Sequence, residues 1–440
     1  MNFDFRTLNY LGSKLRLLGF IENHVRRVTS DGAGVCDLFA GSGCVSYRLS
    51  RHFPVVACDV QHYSTVISNA LLLKYENMHL KTETFLRNLE KKLRSNTCLH
   101  DAFKPLIDFE ENAIAGKNSL SLTDVVEHGS IEVYNIEHGE SRIDGLLLKV
   151  SNALRRHGIA DERSLISRYY GGVYFSYRQA MQIDMILESI FTEVPEIERD
   201  FYLAPLLSAA SDVVDTVGKH FAQPIRARDS AGNIKPLVCN KALKDKTVDI
   251  VGLYVRWLKK YVALQRSSFD SMSIQGDFTK CLESLPTDVE TVYADPPYTR
   301  EHYSRFYHVL ETISLRDSPK ISTVKIHGET HVSNGIYRAE RFQSPFCIKS
   351  QAIGAFERMF ELSAGKGRNL LVSYSPYDRS KRSHPRVVTI NQLVGIAEKY
   401  YREVEIVSAG VFHHNKLNST SHKLEAEDEA ELMIVSTQAR

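Results

Sequence analysis

The sequence predicts an α/β protein in which a mainly parallel sheet is interrupted by a large, mainly helical insertion. Near the N-terminus, short apolar runs alternate with helical patterns, and this alternation is typical of parallel strands joined by helices. The alternation stops near Glu76 and returns after about residue 270, whereas the stretch between has the apolar spacing of helices. We therefore expect one discontinuous domain, residues 1–80 and 270–440, and an inserted domain, residues 81–269.

The predicted strands lie towards both ends of the chain. The first, Val35–Phe39, leads through a glycine turn into a helix that begins at Val45, and the second, Pro54–Val60, precedes another helical stretch. Three later apolar runs, "MSIQGDF", "TVYADPPY" and "NLLVSYSP", each contain the end of a strand. The runs "VEIVSAGV" and "AELMIVST" are separated by a polar stretch, and we predict that they pair antiparallel.

The insertion is predicted to be helical with two irregular stretches. Apolar spacing predicts helices at Glu83–Leu93, Tyr177–Phe191 and Tyr202–Thr216. The irregular stretches are Leu120–Asp144 and Pro224–Lys241, and the second contains the strong turn signal "DSAGNIKP". Beyond the insertion, "HGETHVSNG" is predicted to be a loop.

Composition limits the class of protein. The formal net charge is +2, so a nucleic-acid interface would have to be a local basic surface. Seven cysteines without a CxxC pair fit a reducing compartment better than a disulfide framework. The N-terminus lacks the apolar core of a signal peptide, and no apolar run approaches the length of a membrane-spanning helix. We therefore expect a cytoplasmic protein with no membrane segment.

A glycine turn and an acid suggest a ligand with a ribose. In "DLFAGSG" the turn follows the first strand, where glycine lets the backbone approach a ligand beside a helix N-terminus. The second strand ends in Asp59, a position suited to the two hydroxyls of a ribose. Together they favour an adenosine-containing ligand, although another nucleotide-binding fold or a simple tight turn would also explain the glycines.

The stretch "DPPY" points to the chemistry. It follows the strand Thr291–Ala294, and its two prolines fix a rigid elbow after the strand. This elbow would hold the Asp295 carboxylate and the Pro296 carbonyl as two acceptors, with the flat face of Tyr298 beside them. Two acceptors and a ring match the exocyclic amino group of a planar base. The alternative is a strand end that the prolines merely stiffen.

Five elements in this order resemble the Dam-like (α-group) site-specific DNA adenine-N6 methyltransferases. They are "NYLGSK" (Asn9–Lys14), "DLFAGSG" (Asp37–Gly43), Asp59, "GDF" (Gly276–Phe278) and "DPPY" (Asp295–Tyr298). The resemblance covers residues 1–80 and 270–440. It implies a Rossmann-like, seven-stranded methyltransferase sheet with an inserted target-recognition domain, S-adenosylmethionine as the cofactor and double-stranded DNA as the partner.

The resemblance also implies roles for particular residues. Those expected to bind S-adenosylmethionine are Tyr10, Lys14, Asp37, Phe39, Gly41, Gly43, Asp59, Asp277 and Phe278. Within this set, Asp59 would take the ribose hydroxyls and Asp277 would face the adenine of the cofactor. The residues expected to hold the target amino group are Asp295, Pro296, Pro297 and Tyr298. Methyl transfer would then depend on positioning and electrostatics, with the target base flipped out of the duplex.

Other interpretations of these residues remain open at this point. Asp277 would equally suit the N-terminal cap of a helix, and Lys14 would equally suit a solvated position on the first helix. The same acceptors would serve the N4 amino group of cytosine. An RNA adenine methyltransferase and a non-catalytic homologue that only binds DNA or cofactor are further alternatives.

The insertion carries the local basic excess that DNA binding requires. Between residues 219 and 266 there are 11 Lys and Arg residues against three acids. We expect Arg226, Arg228 and Lys235 to contact DNA, together with Arg300 and Tyr303 after "DPPY". The alternative is a solvated helix face.

No metal site is expected. His413 and His414 are adjacent, so their side chains point apart on a strand, and no further ligand lies at a suitable spacing. The resemblance implies a role in restriction-modification or phage defence, with a cognate restriction endonuclease or another defence component as a candidate partner.

Overall fold

A computed structural model of the chain describes residues 4–95, 98–137, 140–297, 302–326, 328–375, 387–409 and 431–440. The chain divides into two compact units. The first contains Met1–Lys74, Leu264–Ser304 and Phe342–Arg440, and the second contains Tyr75–Ala263 and Arg305–Arg341. The segment 305–341 thus groups with the helical unit, whereas the sequence had assigned it to the sheet domain. Which unit recognises DNA stays a prediction.

The strands of the described residues are β1 Gly34–Asp37, β2 Val55–Asp59, β3 Met272–Gln275, β4 Val289–Ala294, β5 Thr323–Ile326, β6 Glu329–Val332, β7 Asn369–Tyr374, β8 Tyr401–Ser408 and β9 Leu432–Ala439. The α-helices are α1 Leu18–Val28, α2 Cys44–Leu49, α3 His62–Leu72, α4 Met78–Arg94, α5 Cys98–Ala115, α6 Ser119–His128, α7 Ile131–Ile136, α8 Asp144–Arg156, α9 Leu165–Tyr170, α10 Tyr177–Glu193, α11 Arg199–Val213, α12 Leu237–Lys241, α13 Ile250–Val262, α14 Phe278–Ser284, α15 Tyr303–Phe306, α16 His308–Leu315, α17 Ala352–Ala364 and α18 Ile390–Tyr400.

The first unit is built on one sheet. Among the described residues, seven strands form it in the order β3-β2-β1-β4-β7-β9-β8. The pairs from β3 to β7 are parallel, and β9 is antiparallel to both of its neighbours, as predicted for the last two runs. Every residue of β1 is buried, which explains why this central strand reads as an apolar run. The predicted α/β class is confirmed.

Helices cover the sheet of the first unit. Side chains of α14, α17 and α18 pack with the strands in one apolar cluster that includes Phe356, Leu393 and Leu282. The parallel order brings the carboxyl ends of β1, β2, β3 and β4 to one edge of this sheet. Ligands bind at that edge in open α/β sheets, so this order fixes where a site would form.

The second unit is helical. One apolar cluster of its described residues joins α5, α8 and α10 through residues such as Phe103, Leu147 and Met181. A buried ion pair lies beside it: the Lys246 ammonium donates to Glu110 Oε1 at 2.8 Å, and Glu110 Oε2 accepts from the Tyr177 N–H at 2.7 Å. Both charged side chains are at most 1% exposed. Their mutual pairing offsets the large cost of burying each charge.

Two sequence predictions for this unit are wrong. Leu120–Asp144, predicted to be irregular, contains α6 and α7. These short helices begin at N-caps, where Asn118 accepts from the Ser121 N–H and Ser130 accepts from the Val133 N–H. The loop predicted around residues 327–335 includes β6, which pairs with β5 in an antiparallel hairpin.

The other helical predictions agree more closely. The helices predicted at Glu83–Leu93 and Tyr177–Phe191 are α4 and α10. The third is α11, which ends three residues early at Val213 because Val214, with ψ 130°, has left the helical conformation. The turn predicted in "DSAGNIKP" is present, with the Asp229 carboxylate accepting the N–H groups of Ala231 and Asn233. Among the described residues, no helix is long and apolar enough to cross a membrane.

Candidate active site

A cavity of about 110 Å³ lies within the first unit, where the parallel strands end. Three of its lining residues are the acids predicted from the sequence: Asp59 is the last residue of β2, and Asp277 and Asp295 follow β3 and β4 in the chain. The other predicted residues on its wall are Tyr10, Lys14, Phe39, Phe278, Pro296 and Pro297. The sheet topology therefore brings together groups that are more than 200 positions apart in the chain.

The glycine turn is shaped by close contacts that exclude a side chain. Gly41 has φ +52°, and a Cβ there would lie 2.5 Å from the Tyr10 hydroxyl oxygen. Gly43 has φ +72°, and a Cβ there would lie 2.8 Å from the Leu71 side chain. Both conformations also favour glycine over residues with a side chain. Gly41 therefore allows the Tyr10 ring to lie directly against the turn, and Gly43 allows close packing against Leu71.

Asp37 is not among the residues that line the cavity. Its carboxylate is 1% exposed and accepts a hydrogen bond from the Ser46 hydroxyl at 2.6 Å. Burial raises the pKa of Asp37 to about 7, the Ser46 bond opposes this, and the nearby Asp295 and Asp59 carboxylates raise it further. The structure thus gives Asp37 a contact with α2, whereas the resemblance implied that it surrounds the cofactor.

Asp59 is held in place by the backbone. Its Oδ2 accepts from the Gly41 N–H at 2.8 Å, and its Oδ1 accepts from the Gln61 N–H at 2.9 Å. Burial raises the pKa of Asp59, and the two backbone donors oppose that rise because they stabilise the carboxylate. The bonds tie the end of β2 to the glycine turn and leave the carboxylate on the cavity wall in one orientation.

The geometry of Asp277 suits both of the roles that the sequence left open. As the N-cap of α14, its Oδ1 accepts from the N–H groups of Thr279 and Lys280 at 2.8 and 3.1 Å, and from the Thr279 hydroxyl at 2.6 Å. The Thr279 hydroxyl is the main group that lowers the pKa of Asp277. Its Oδ2 has no hydrogen-bond partner among the described residues. One carboxylate oxygen therefore caps the helix while the other can accept from a ligand.

Aromatic rings form another part of the cavity wall. Phe346 is fully buried and packs edge-on against Phe278 at 5.0 Å and against Phe39 at 5.4 Å, measured between ring centroids. The neighbouring Cys347 thiol lies 3.5 Å from the Pro297 carbonyl oxygen. Sequence reasoning missed Phe346 and Cys347, because "SPFC" carries no strand-end acid or glycine turn. The available signal in this stretch was the pair Pro345 and Phe346, a proline followed by an aromatic residue.

A buried charge cluster holds Asp295. The Lys14 ammonium lies 3.1 Å from Asp295 Oδ1 and donates to Glu431 Oε1 at 2.5 Å. Lys14 and Glu431 are 6% and 2% exposed, whereas Asp295 keeps 22% of its side chain exposed. Burial is the main cause that raises the pKa of Asp295; Lys14 opposes this and Glu431 adds to it. Lys14 is therefore a buried ion-pair partner of Asp295 and Glu431. The alternative prediction, a solvated lysine on the first helix, is wrong.

Glu431 could not have been found from its sequence context. It directly precedes β9 in "AELMIVST", an apolar strand with no motif. It reaches the cluster because β9 is inserted antiparallel beside β7, so the start of β9 lies next to the end of β7. A topology prediction that included this strand order would have supplied the signal.

Two tyrosines complete the described part of the site. The Tyr10 and Tyr303 ring centroids are 5.9 Å apart, and the Tyr303 hydroxyl lies 3.4 Å from the Leu11 carbonyl oxygen. Tyr303, predicted to contact DNA, thus lies on the cavity wall beside a predicted cofactor residue. Tyr298 and Arg300 lie outside the described residues.

The basic stretch 219–266, which lies in the second unit up to residue 263, is less available to DNA than its composition suggested. Lys219 and Lys241 both pair with the buried Asp245, at 2.8 and 2.5 Å, and Lys246 is the buried partner of Glu110. Arg228 pairs with Glu127 at 3.1 Å. Folding therefore neutralises part of the 11-to-3 excess, and the contact of this stretch with DNA stays a prediction.

The remaining predicted DNA contacts are more accessible. Arg226 is exposed and makes a hydrogen bond to the Gln223 side chain at 3.1 Å. Lys235 is half-buried, and its backbone N–H donates to the Ala227 carbonyl. In the first unit, Arg266 donates to the carbonyls of Ala70 and Leu71. Arg226 and Lys235 thus remain candidates for phosphate contacts.

Metal chemistry has no apparent site in the part of the chain that the structure describes. Within those residues, no group of three or more His, Cys, Asp or Glu side chains is arranged to hold a metal ion. His413 and His414 lie outside them.

The strand order and the strand-end cavity define the class of protein. A seven-stranded sheet with its next-to-last strand antiparallel, and with acids at the ends of successive parallel strands, is the Rossmann-like methyltransferase fold. Within that class, residues 10–107 match the family model of the D12 class N6 adenine-specific DNA methyltransferases. This part of the chain is therefore similar to that family, and the resemblance predicted from the motifs is confirmed.

Curated relatives agree with that family. The chain is 24% identical to the modification methylase LlaI of Lactococcus lactis subsp. lactis over 436 residues, which cover 97% of the chain and 54% of the relative. It is 24% identical to the type II methyltransferase M.FokI of Planomicrobium okeanokoites, covering 84% of the chain and 44% of the relative. It is 21% identical to M.NlaIII of Neisseria lactamica, covering 86% and 92%. The chain thus spans about half the length of the first two relatives.

Proposed function

We propose that the protein transfers a methyl group from S-adenosylmethionine to the N6 amino group of adenine in a specific DNA sequence. The observation that carries the proposal is the position of Asp295, which follows β4 and lines the same cavity as Asp59 and Asp277. The family match at residues 10–107 favours adenine as the target over cytosine.

The residues present fit this cofactor. Asp277 offers a carboxylate oxygen without a hydrogen-bond partner among the described residues, as an acceptor for the adenine amino group. Asp59 presents a fixed carboxylate for the ribose hydroxyls, and the Tyr10 side chain lies against Gly41 of the adjoining glycine turn. When bound, S-adenosylmethionine supplies a reactive methyl group on a sulfonium centre.

The chain's own contribution is positioning and electrostatics. Asp295 and the Pro296 carbonyl would accept the two hydrogens of the target amino group and stabilise the positive charge that grows on its nitrogen. Lys14 holds Asp295 from the side at 3.1 Å, and Glu431 holds Lys14 in turn. Holding the two reactants in line can lower the barrier by up to about 7–11 kcal/mol in favourable systems.

DNA must present the target base outside the helix. In a duplex the target base is paired and stacked and cannot enter the cavity, so the proposal requires base flipping, which costs a few kcal/mol. The second unit, with its accessible Arg226 and Lys235, is the candidate for target recognition. The relatives are named modification methylases and type II methyltransferases, which supports a place in restriction-modification or phage defence. A cognate endonuclease or another defence component would be the protein partner.

The test is product analysis. The protein is incubated with S-adenosylmethionine carrying a labelled methyl group and with duplex DNA of varied sequence, and the DNA is then digested to nucleosides. The proposal expects the label in N6-methyladenine within one short sequence context. Label in N4-methylcytosine would move the activity to the cytosine class, and binding of S-adenosylhomocysteine without any methylated product would indicate a non-catalytic homologue.

An Asp295 variant links the product to the site. Asp295→Ala is expected to lower the rate of transfer by about 100-fold or more, by analogy with the loss of one oxyanion-type donor in other enzymes. The exposed Asp288→Ala, seven residues earlier, is the matched control and is expected to retain full activity. Near-wild-type transfer by Asp295→Ala would exclude the proposed mechanism.

A further inference from the structure

Two arginines in the second unit share one tyrosine ring and have no acidic partner among the described residues. The Arg305 guanidinium carbon lies 5.5 Å from the Tyr337 ring centroid, and that of Arg341 lies 4.9 Å from it. Neither arginine makes an ion pair with any residue that the structure describes. Two like charges close to one ring repel each other, and Arg305 accordingly lowers the pKa of Arg341, after burial as the larger cause.

The neighbouring arginines show that this lack of partners is local. Arg338 makes two hydrogen bonds of 2.6 Å to the Asp317 carboxylate, the bidentate geometry that arginine favours. Arg316 pairs with Glu188. Carboxylates are therefore available to arginines in this part of the unit, yet none of the described ones is placed at Arg305 or Arg341.

Arg341 has a polar atom that nothing in the described chain satisfies. Its Nη1 is buried and has no hydrogen-bond partner there, while the side chain as a whole is half-exposed. A buried donor left without a partner costs about 1–3 kcal/mol, and more for a charged group. Arg305, in contrast, is exposed, so the pair is open to solvent at Arg305.

The ring between the two arginines is rigidly held. The Tyr337 hydroxyl donates to the Ala222 carbonyl, and the Tyr337 ring packs edge-on against His308 at 5.2 Å. His308 is fully buried, and its Nε2 lies 3.1 Å from the Phe221 carbonyl oxygen. Burial lowers the pKa of His308 to about 3, so its ring is neutral and adds no third charge. The two guanidiniums are thus presented from a fixed platform.

We infer that Arg305 and Arg341, presented on Tyr337, bind a backbone phosphate of the DNA duplex. An oxyanion between two guanidiniums would remove their repulsion and satisfy the unpaired Nη1 of Arg341, and arginine is well suited to phosphate because its planar fork donates two parallel bonds. The inference rests on the proposed function, which makes DNA the partner. It places a positioning contact on the segment 305–341, outside the basic stretch 219–266.

The test is the salt dependence of DNA affinity. Binding of a fluorescent duplex of about 25 base pairs is measured by anisotropy at low and at moderate NaCl concentrations, without cofactor, for the wild type and for Arg305→Gln, Arg341→Gln and the double variant. Each phosphate contact that a variant removes should reduce the slope of log affinity against log salt by about 0.9. The exposed Arg305→Gln keeps the test valid even if Arg341→Gln alters the fold, which thermal melting would reveal.

The matched control removes two exposed arginines of the same unit that the inference does not use. Arg87→Gln/Arg94→Gln makes the same change in net charge and is expected to leave the slope unchanged. An unchanged slope in the Arg305 and Arg341 variants would overturn the inference, and so would an equal reduction in the control, because that would indicate a general charge effect.

Two further measurements distinguish free phosphate from DNA phosphate as the ligand, and failure of this inference from failure of the proposed function. If inorganic phosphate, at constant ionic strength, stabilised the wild type but not the double variant while the DNA slope was unchanged, the site would bind free phosphate and the DNA assignment would fail. A wild type that binds duplex with the predicted slope but forms no methylated base would refute the proposed function alone. Full methylation with unchanged slopes would refute the inference alone.

Discussion

The acids at the strand ends of the first unit and the basic stretch 219–266, most of which lies in the second unit, were both singled out by charge, but their charges have different surroundings in the structure. Asp59, Asp277 and Asp295 all reach one cavity wall. In the basic stretch, Lys219 and Lys241 form ion pairs with Asp245, and Lys246 forms one with Glu110. Acids at strand ends are a better guide to a site, because sheet topology fixes where they lie. An excess of basic residues counted along the chain is a poorer guide, because folding can pair those residues with buried acids.

The largest effect expected from this comparison is on stability. Lys246→Met leaves Glu110 buried without its partner, and we expect the free energy of unfolding to fall by about 3–5 kcal/mol. Lys244→Met, two residues earlier and exposed, is the control and should change stability little. Urea unfolding provides the measurement.

A second variant shows whether pairing is the cause of that loss of stability. Adding Glu110→Gln to Lys246→Met removes the uncompensated charge and should restore part of the free energy of unfolding. If Lys246→Met were as stable as the wild type, the view that folding uses this lysine structurally would be wrong.

The next effect concerns the cofactor. Asp59→Ala would remove the charged hydrogen bonds that we propose to the ribose hydroxyls, so S-adenosylhomocysteine should bind more weakly by about 1.5–3 kcal/mol. DNA affinity should stay the same. The exposed Asp31→Ala, in the same unit, is the matched control. Calorimetry measures both, and an unchanged dissociation constant for Asp59→Ala would remove Asp59 from the site.

A smaller effect is expected on the pH profile. Asp295 must be ionised to accept the amino hydrogens, and its pKa is raised above the ordinary 3.8, mainly by burial and further by Glu431. Transfer should therefore fall as the pH drops through that raised pKa. Glu431→Gln removes one of the causes that raise it, so the acid limb of the rate profile should move to lower pH.

The pH result also separates electrostatics from simple packing. A structural defect at Glu431 would lower the rate equally at every pH and leave the midpoint of the acid limb where it was. A midpoint that moves to higher pH would contradict the assigned interaction between Glu431 and Asp295.

The smallest effect is expected at the accessible basic residues of the second unit. Arg226→Ala/Lys235→Ala should reduce the salt slope of DNA affinity by about 0.9 for each phosphate contact that the substitutions remove. Arg228→Ala should have less effect, because Glu127 already pairs with Arg228. If one of the accessible residues instead reads a base, its variant should relax sequence preference and weaken binding by about 1–3 kcal/mol at one position.

Much of the first unit could be predicted because its rules are local. Buried parallel strands appear in the sequence as apolar runs. The glycines at positions 41 and 43 predicted the turn, and both adopt the positive φ that glycine favours. The residues that were missed depend on distant packing. Glu431 reaches Lys14 from a position 417 residues away along the chain, and Phe346 joins the cavity through its contacts with Phe39 and Phe278.

The second unit was harder to predict, for a different physical reason. The helices α6 and α7 are short, so their caps at Asn118 and Ser130 were the available signal, and the apolar periodicity was too brief to use. The pairing of Lys246 with Glu110 spans 136 positions of the chain. The arginines at Tyr337 likewise come from both ends of the segment 305–341.

The most direct test of the central claim is a crossed measurement of transfer and affinity. Asp295→Ala and Arg305→Gln/Arg341→Gln are each assayed for methyl transfer at saturating duplex and for duplex affinity in the absence of cofactor. The account predicts that Asp295→Ala loses transfer but keeps its affinity, and that the arginine variant loses affinity but keeps transfer once the duplex is saturating. If both variants lost transfer and affinity together, chemistry at the sheet edge and DNA anchoring in the second unit would not be separate functions, and the account would be contradicted.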